Sequence, residues 1–324
     1  MGNKFYRIKE GAFMIKRKII LDCDPGHDDA VAIMMAAKAL NIDLLGITVV
    51  KGNQTIEKTT ANALNVCQYL DINIPVYQGM SVPMIIKSPA TEERIHGESG
   101  LDGPTFERLN RTKEAMHAVN YIIKTLLDSD GDITLVATGP LTNIAMAMRF
   151  EPQITEKIKE IIIMGGSYQL GNVTPAAEFN IFADAEAAYV VFNSGVHVTM
   201  MGLDITRKVL CTTAVLERMK KHNNKASKLF VDLMGFFMKT QKAIFGWDGA
   251  PLHDPTTIAY LIDPSCIKTK LMNTQIEIRS EQSYGRTNCD FFNLTDKVKN
   301  TSVSIDIDVE RFWDIVEDCI RKYN

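Results

Sequence analysis

The chain has 324 residues, 46% of them hydrophobic, and a formal net charge of −3, enough for one large α/β domain with a substantial buried core. A slightly acidic balance offers nothing to a nucleic-acid backbone, and no apolar run approaches the roughly 20 residues that a membrane-spanning helix needs. Neither a nucleic-acid partner nor a membrane is expected.

Residues 1 to 13 are polar and unpatterned, without the apolar core of a signal peptide. They read as a leader, with the domain running from 14 to 324. Ile19-Ile20-Leu21 is a buried strand, followed by an acidic stretch and then by Ala30 to Ala36, helical in composition. Leu44 to Val50 predicts a strand, Ile56 to Leu70 a helix, and Ile74 to Tyr77 a short strand. The irregular stretch from Gln78 to Asn110 carries Gly97, Gly100 and Gly103. Loops of that length in compact domains tend to be functional, and 78–93 is expected to act as a mobile lid. Helix at Ala115 to Leu127, strand at Ile133 to Ala137, helix at Leu141 to Met148 and strand at Glu160 to Met164 follow. Asp184 to Asn193 predicts a helix and His197 to Met201 a strand. Helix from Thr213 to Phe245 is interrupted near His222-Asn223-Asn224, and Thr256 to Ile262 is helical. Strand patterns at Gln275 to Ile278 and Ser302 to Ile307 precede a last helix, Val309 to Tyr323. Repeated βα units predict a single α/β domain with an open, Rossmann-like, mostly parallel central sheet flanked by helices. The sole candidate boundary lies near Asp263-Pro264. Six scattered cysteines, with no C-x-x-C pair, read as reduced packing thiols in a cytoplasmic protein.

The acidic stretch is Asp22-Cys23-Asp24-Pro25-Gly26-His27-Asp28-Asp29. It gathers four carboxylates at the carboxyl end of a strand, where open α/β sheets place ligands. Such a cluster repels itself unless a cation sits in it. Complementing a helix dipole accounts for Asp28 and Asp29 but not for Asp22 and Asp24. Oxygen ligands without Cys or paired His favour Ca²⁺ or Mg²⁺ over zinc. His253-Asp254-Pro255 has two readings. Asp before Pro is ordinary helix capping, or Asp254 completes the cation cage with His253 beside it as a proton donor. Gly171 to Asn180 holds two Asn and a Glu suited to hydroxyl groups, or else a simple Asx turn. Gly52-Asn53 and Ile95-His96-Gly97-Glu98 are equally open. Thr138 to Asn143 lacks the glycines and lysine of a phosphate loop, and neither G-x-G-x-x-G nor G-x-S-x-G occurs, which disfavours dinucleotide and serine-hydrolase chemistry.

Asp22 to Ala30 resembles the N-terminal signature of the inosine–uridine-preferring nucleoside hydrolase family. The similarity continues in order through Gly52-Asn53-Gln54, Ile95 to Gly103, Thr138 to Asn143, Met164-Gly165-Gly166, Asn172 to Asn180 and His253-Asp254-Pro255. The resemblance implies hydrolysis of the N-glycosidic bond of small-molecule ribonucleosides, one Ca²⁺, a homotetramer and a role in salvage. By positional match Asp24, Asp29, Asp254 and the Thr138 carbonyl hold the cation, and Asp24 is the general base for the attacking water. Asp28, Asn53, Asn172, Glu178 and Asn180 grip the ribose, with Met164 against the sugar and Phe179 in the same loop. His253 and His96 are the candidate donors to the departing base. His27, Val66-Cys67-Gln68, Lys239-Thr240-Gln241 and Tyr284-Gly285-Arg286-Thr287 resemble the bacterial pyrimidine-specific members. There Gln241 contacts the base, and Phe245, one turn later, replaces a Tyr. Uridine and cytidine are therefore expected over inosine. Two rivals remain: a haloacid-dehalogenase-type phosphotransferase, disfavoured by Pro25-Gly26 and Asp28-Asp29, and a non-catalytic Ca²⁺-dependent nucleoside binder.

Overall fold

The computed structural model describes residues 16–86 and 92–323. The expected leader at 1–13, and residues 87–91 of the expected lid, lie outside them. The first half runs β1 (Arg17–Cys23), α1 (His27–Lys38), β2 (Ile42–Val49), α2 (Ile56–Tyr69), β3 (Val76–Gln78), α3 (Glu93–His96), α4 (Ala118–Leu127), β4 (Ile133–Ala137), α5 (Thr142–Phe150) and β5 (Ile158–Met164). Next come α6 (Phe179–Ala183), α7 (Ala185–Phe192), β6 (Val198–Met201), α8 (Leu203–Thr206), β7 (Leu210–Cys211), α9 (Thr213–Lys220) and α10 (Lys225–Phe245). The chain ends with β8 (Ala250–Pro251), α11 (Pro255–Ile262), β9 (Ile267–Met272), β10 (Thr274–Ile276), β11 (Thr287–Cys289), β12 (Thr301–Ile307) and α12 (Val309–Arg321).

Eight strands form one sheet in the order β3-β2-β1-β4-β5-β6-β12-β9. Every pairing is parallel except that of β12 with β9. The chain winds outward from β1 through β2 to β3, then returns to start the other half at β4. The carboxyl ends of β1 and β4 therefore flank the point where strand order reverses, the crevice in which such sheets bind ligands. β1 shows how both faces are filled. Ile19, Leu21 and Cys23 join a core beneath α1, α2 and α10 to α12, while Ile20 faces the opposite core with α4, α5 and α7. A strand buried on both sides reads as a continuous apolar run, which is why 19–21 was legible. α1 carries Asp28 and Asp29 in its first turn and Lys38 in its last, complementing the helix dipole.

Several features depart from the sequence reading. β9, Ile-Lys-Thr-Lys-Leu-Met, went unseen because an antiparallel edge strand needs only one buried face, and its lysines break the apolar run. It and β12 lie beyond Asp263-Pro264 yet complete the same sheet, so no boundary falls there. α6 arises inside the Asn-rich loop, capped by the Glu178 side chain, which accepts from the Asn180 and Ile181 amides. The cysteines form no disulfide; all are buried except Cys289, which is half-buried. Among the described residues no helix is long and apolar enough to cross a membrane.

Candidate active site

Asp24 leaves the end of β1 fully buried. Its Oδ2 accepts the Asn53 backbone N–H at 2.7 Å, and Asn53 Nδ2 donates to the Asp24 carbonyl at 3.2 Å. Two glycines admit this carboxylate. A Cβ at Gly52 would stand 2.0 Å from Oδ2, and one at Gly139 would stand 2.7 Å from Oδ1. Oδ1 itself is buried with no hydrogen-bond partner. Asp29 accepts from Gly26 N at 3.0 Å and from Thr138 Oγ1 at 2.8 Å. Asp28, Asp29 and Asp254 each place a carboxylate oxygen within 4.8 Å of the others.

Asp254 settles one ambiguity. It starts α11 in helical conformation and makes no side-chain cap bond; its carboxylate turns instead toward Asp28 and Asp29, so the capping reading fails. Asp22 leaves the group predicted for it. It shares the strand face of Ile20, two residues earlier, and takes Thr48 Oγ1 at 2.6 Å and Asn143 Nδ2 at 2.8 Å. The observed close cluster is therefore Asp28, Asp29 and Asp254, with the buried Asp24 carboxylate beside it. Burial first, and mutual repulsion second, push the Asp24 and Asp254 carboxyls well above the usual range and Asp28 up to about 7. Asp29 is also raised by burial. The only adjacent thiol, Cys23, lies 3.7 Å from the Thr48 carbonyl. An all-oxygen donor set with one orphaned carboxylate oxygen suits a hard divalent cation.

Above the cluster opens a cleft of about 430 Å³ lined by Asp28, Asn53, Thr138 and Asp254, with Asp24 and Asp29 buried beneath. On one wall Glu178 accepts three backbone N–H groups, from Gly166, Asn180 and Ile181, at 2.9 to 3.1 Å, while burial pushes its carboxyl up to about 7. Asn180 Nδ2 donates to the carbonyls of Thr138 at 2.8 Å and Met164 at 3.1 Å. A carbonyl has two lone pairs, so Thr138 keeps one for a cation. Asn172 Oδ1 accepts the Phe179 N–H, seven residues on, at 2.9 Å, so it ties the two ends of the loop together rather than making a local Asx turn, and its side chain lines the cleft. The opposite wall is α10. Gln241 is buried there, and its Oε1 has no partner. Phe245 is exposed at the rim and stacks on Trp247 with ring centroids 5.1 Å apart. At the far end His253 Nδ1 meets Thr206 Oγ1 at 2.7 Å, and burial lowers this imidazole to about 3. His96 is buried against Phe237 and His27, which drives its imidazole well down too.

Residues 19–314 match the family model described as inosine-uridine preferring nucleoside hydrolase. The chain belongs to that family. Among its relatives, the pyrimidine-specific ribonucleoside hydrolase RihB of Escherichia coli (strain K12) is 58% identical over 310 residues, covering 96% of this chain and 99% of that protein. The RihB of Shigella sonnei is 57% identical over the same span. A solved purine-preferring ribonucleoside hydrolase from Gardnerella vaginalis superposes with a TM-score of 0.87 at 33% identity, covering 94% of this chain and 99% of that one.

Three residues in or beside this nucleoside hydrolase's cleft, Arg207, Thr206 and Trp247, escaped the sequence reading. Arg207 lines it and donates to the Gly171 carbonyl at 2.7 Å, anchoring the Asn-rich loop. Thr206 orients His253. Both lie at the end of the unpredicted α8. Trp247, one of only two tryptophans in the chain, follows Gly246, whose φ of +73° ends α10 in the left-handed conformation. A Trp just past a helix-ending glycine was the available signal. His27 was noted for its resemblance alone; it lies behind His96, outside the cleft wall.

Proposed function

We propose that this nucleoside hydrolase cleaves the N-glycosidic bond of pyrimidine ribonucleosides, uridine and cytidine, to ribose and free base, with one Ca²⁺ in the Asp24–Asp28–Asp29–Asp254 cluster. The observation that carries the reading is the buried, partnerless Oδ1 of Asp24 at the foot of a cleft walled by hydroxyl-binding groups. Asp24, Asp29, Asp254 and the free lone pair of the Thr138 carbonyl would hold the cation. When bound, it supplies Lewis acidity to water and a template for the vicinal ribose hydroxyls.

The chain's own groups do the rest. Asp24 takes the proton of the attacking water as general base. Asp28, Asn53, Asn172, Glu178 and Asn180 bind the ribose, fixing the sugar against Met164 for in-place attack. Cleavage builds positive charge on the ribosyl ring, as in other glycoside hydrolyses. The surrounding carboxylates stabilise that charge in a site shielded from bulk water. His253, held by Thr206, faces the departing base and supplies a hydrogen bond to it. Pyrimidine preference is supported by Gln241, whose orphaned Oε1 needs a donor that a base can provide, and by the names of the 58% identical relatives. Association into a homotetramer, a cytoplasmic location and a role in nucleoside salvage complete the proposal.

The test is release of free base and reducing ribose from uridine, cytidine, inosine and adenosine, with and without a calcium chelator. Turnover of the pyrimidines well above the purines, abolished by chelation and restored by Ca²⁺, supports the reading. Equal turnover of inosine overturns the base preference. No turnover of any of the four overturns the enzymatic reading in favour of a binder.

A further inference from the structure

The tip of the loop that carries Asn172 is bonded mostly to itself. Gly171 N–H donates to the Pro175 carbonyl at 3.1 Å and Asn172 N–H to the Ala177 carbonyl at 3.0 Å. Thr174 Oγ1 accepts the Ala176 and Ala177 amides at 3.2 and 2.9 Å. A Cβ at Gly171 would stand 2.2 Å from the Thr174 carbonyl, so the turn closes tightly around a residue without a side chain. Among the described residues, one group from outside 165–179 hydrogen-bonds to residues 170–176, the Arg207 guanidinium. Its Nη2 donates to the Gly171 carbonyl at 2.7 Å and its Nη1 to the Leu170 carbonyl at 3.4 Å. A planar fork across two successive carbonyls is a grip that the single ammonium of a lysine does not copy. Arg207 is itself held, since its backbone N–H caps α8 by donating to the Leu203 carbonyl at 3.2 Å. Its side chain is half-buried and lines the cleft. The Gly171 carbonyl belongs to the planar peptide unit that leads into Asn172, so holding it places the Asn172 Cα. Asn172 is exposed at the cleft and depends on that placement.

The three hydroxyls of a ribonucleoside divide among the walls of the site. The vicinal pair belongs to the proposed cation at the floor, and the base to Gln241 on α10. C4′ lies across the ring from C1′, so C5′ points to the wall opposite α10, where Asn172 stands. We propose that Arg207 is a positioning residue that, through Asn172, sets recognition of the 5′-hydroxyl and makes the site select ribonucleosides over their 5′-deoxy analogues. This inference rests on the nucleoside hydrolase reading given above.

The experiment compares kcat/KM for uridine and 5′-deoxyuridine in the Ca²⁺-loaded wild-type protein, in Arg207→Met, Arg207→Lys and Asn172→Ala, and in the Arg207→Met, Asn172→Ala double variant. Wild-type protein should favour uridine roughly tenfold, the scale of one hydrogen bond. Arg207→Met should lose most of that preference, with uridine falling toward the analogue and the analogue nearly unchanged. Arg207→Lys, which keeps one donor for the Gly171 carbonyl, should recover part of the loss. Asn172→Ala should abolish the preference, and adding Arg207→Met to it should change kcat/KM by less than about twofold, because the two residues act as one unit. Equal wild-type turnover of the two substrates overturns the proposal. An equal fall on both substrates in Arg207→Met marks a merely structural role and overturns it as well. An additive loss in the double variant overturns it too, by making Arg207 an independent contact. If the wild-type protein releases base from neither substrate, the hydrolase reading fails and recognition of the hydroxyl fails with it. Crystal structures then decide the positioning role alone: Asn172 displaced from the cleft in Arg207→Met is expected, and Asn172 unmoved overturns it.

Discussion

At the residue scale the site depends on the absence of side chains as much as on their presence. Gly52 lies so close to Asp24 that one added methyl must displace the carboxylate. Gly52→Ala should therefore weaken Ca²⁺ binding by roughly 10- to 100-fold, the usual cost of disturbing a ligand's support, as measured by isothermal titration. Unchanged affinity would show that Asp24 stands outside the cation's reach. Asp24→Asn removes the base while keeping the shape, and should lower kcat by roughly 10²- to 10⁴-fold in the base-release assay. Phe245→Tyr adds a hydroxyl at the rim, beside Trp247. If the relatives' Tyr contacts the base, this change should raise kcat/KM for uridine several-fold, within the roughly fivefold worth of one hydrogen bond. No change would place position 245 beyond the bound base.

At the element scale α10 forms one wall of the cleft, and a side-chain bond ties it to the neighbouring α3. Thr240 Oγ1 donates to the Ile95 carbonyl on α3 at 2.9 Å. Thr240→Val should loosen the approach of α10 to α3 and raise KM about fivefold at constant kcat, measured by steady-state kinetics on uridine. The same elements mark where sequence reading stops. Long buried strands and amphipathic helices announce themselves through period and turn residues, so β1, β4, α2 and α12 were found within a residue or a few. α3 is one turn in a long loop and α8 is four residues, both too short for a period, and two lysines in the six residues of β9 break its apolar run. In the site, Asp24 and Asp29 were legible because the motif is dense. Asp254 was named through the family resemblance alone, since its own residues left capping and ligation open; the sheet brings α11 beside α1 and turns its carboxylate toward Asp28 and Asp29. Asp22 misled because local density says nothing about strand parity, which sends it to the far face.

At the scale of the whole molecule the carboxylate cluster makes stability depend jointly on cation and pH. Asp28 and Glu178 stand near 7 in the fold against 3.8 and 4.5 in free side chains. Between those values the chelated fold holds protons that the unfolded chain has released, so its stability falls as pH rises from about 4 to 7. His27 and His253, lowered to about 4 and about 3 from 6.5, act with the opposite sign: their contribution is full above pH 6.5 and is lost as acid protonates the unfolded chain first. The histidines act in both forms, whereas on Asp24, Asp29 and Asp254, also raised by burial, protons and the proposed cation would compete for the same oxygens. The melting-temperature gap between Ca²⁺-loaded and chelated protein should therefore widen from pH 5.5 to pH 8; a constant gap would place the cation away from these carboxylates. Strand order carries a last consequence. Asp24 is made near the start of the chain and Asp254 near its end, and only the finished sheet brings them together. A ribosome emitting the first two hundred residues exposes an incomplete cage, and the proposed cation would lack a ligand until Asp254 and α11 have been made. In the proposed site the ion would act as a latch on completed translation rather than as a seed for folding, and truncated chains should neither retain it nor be protected by it from proteolysis.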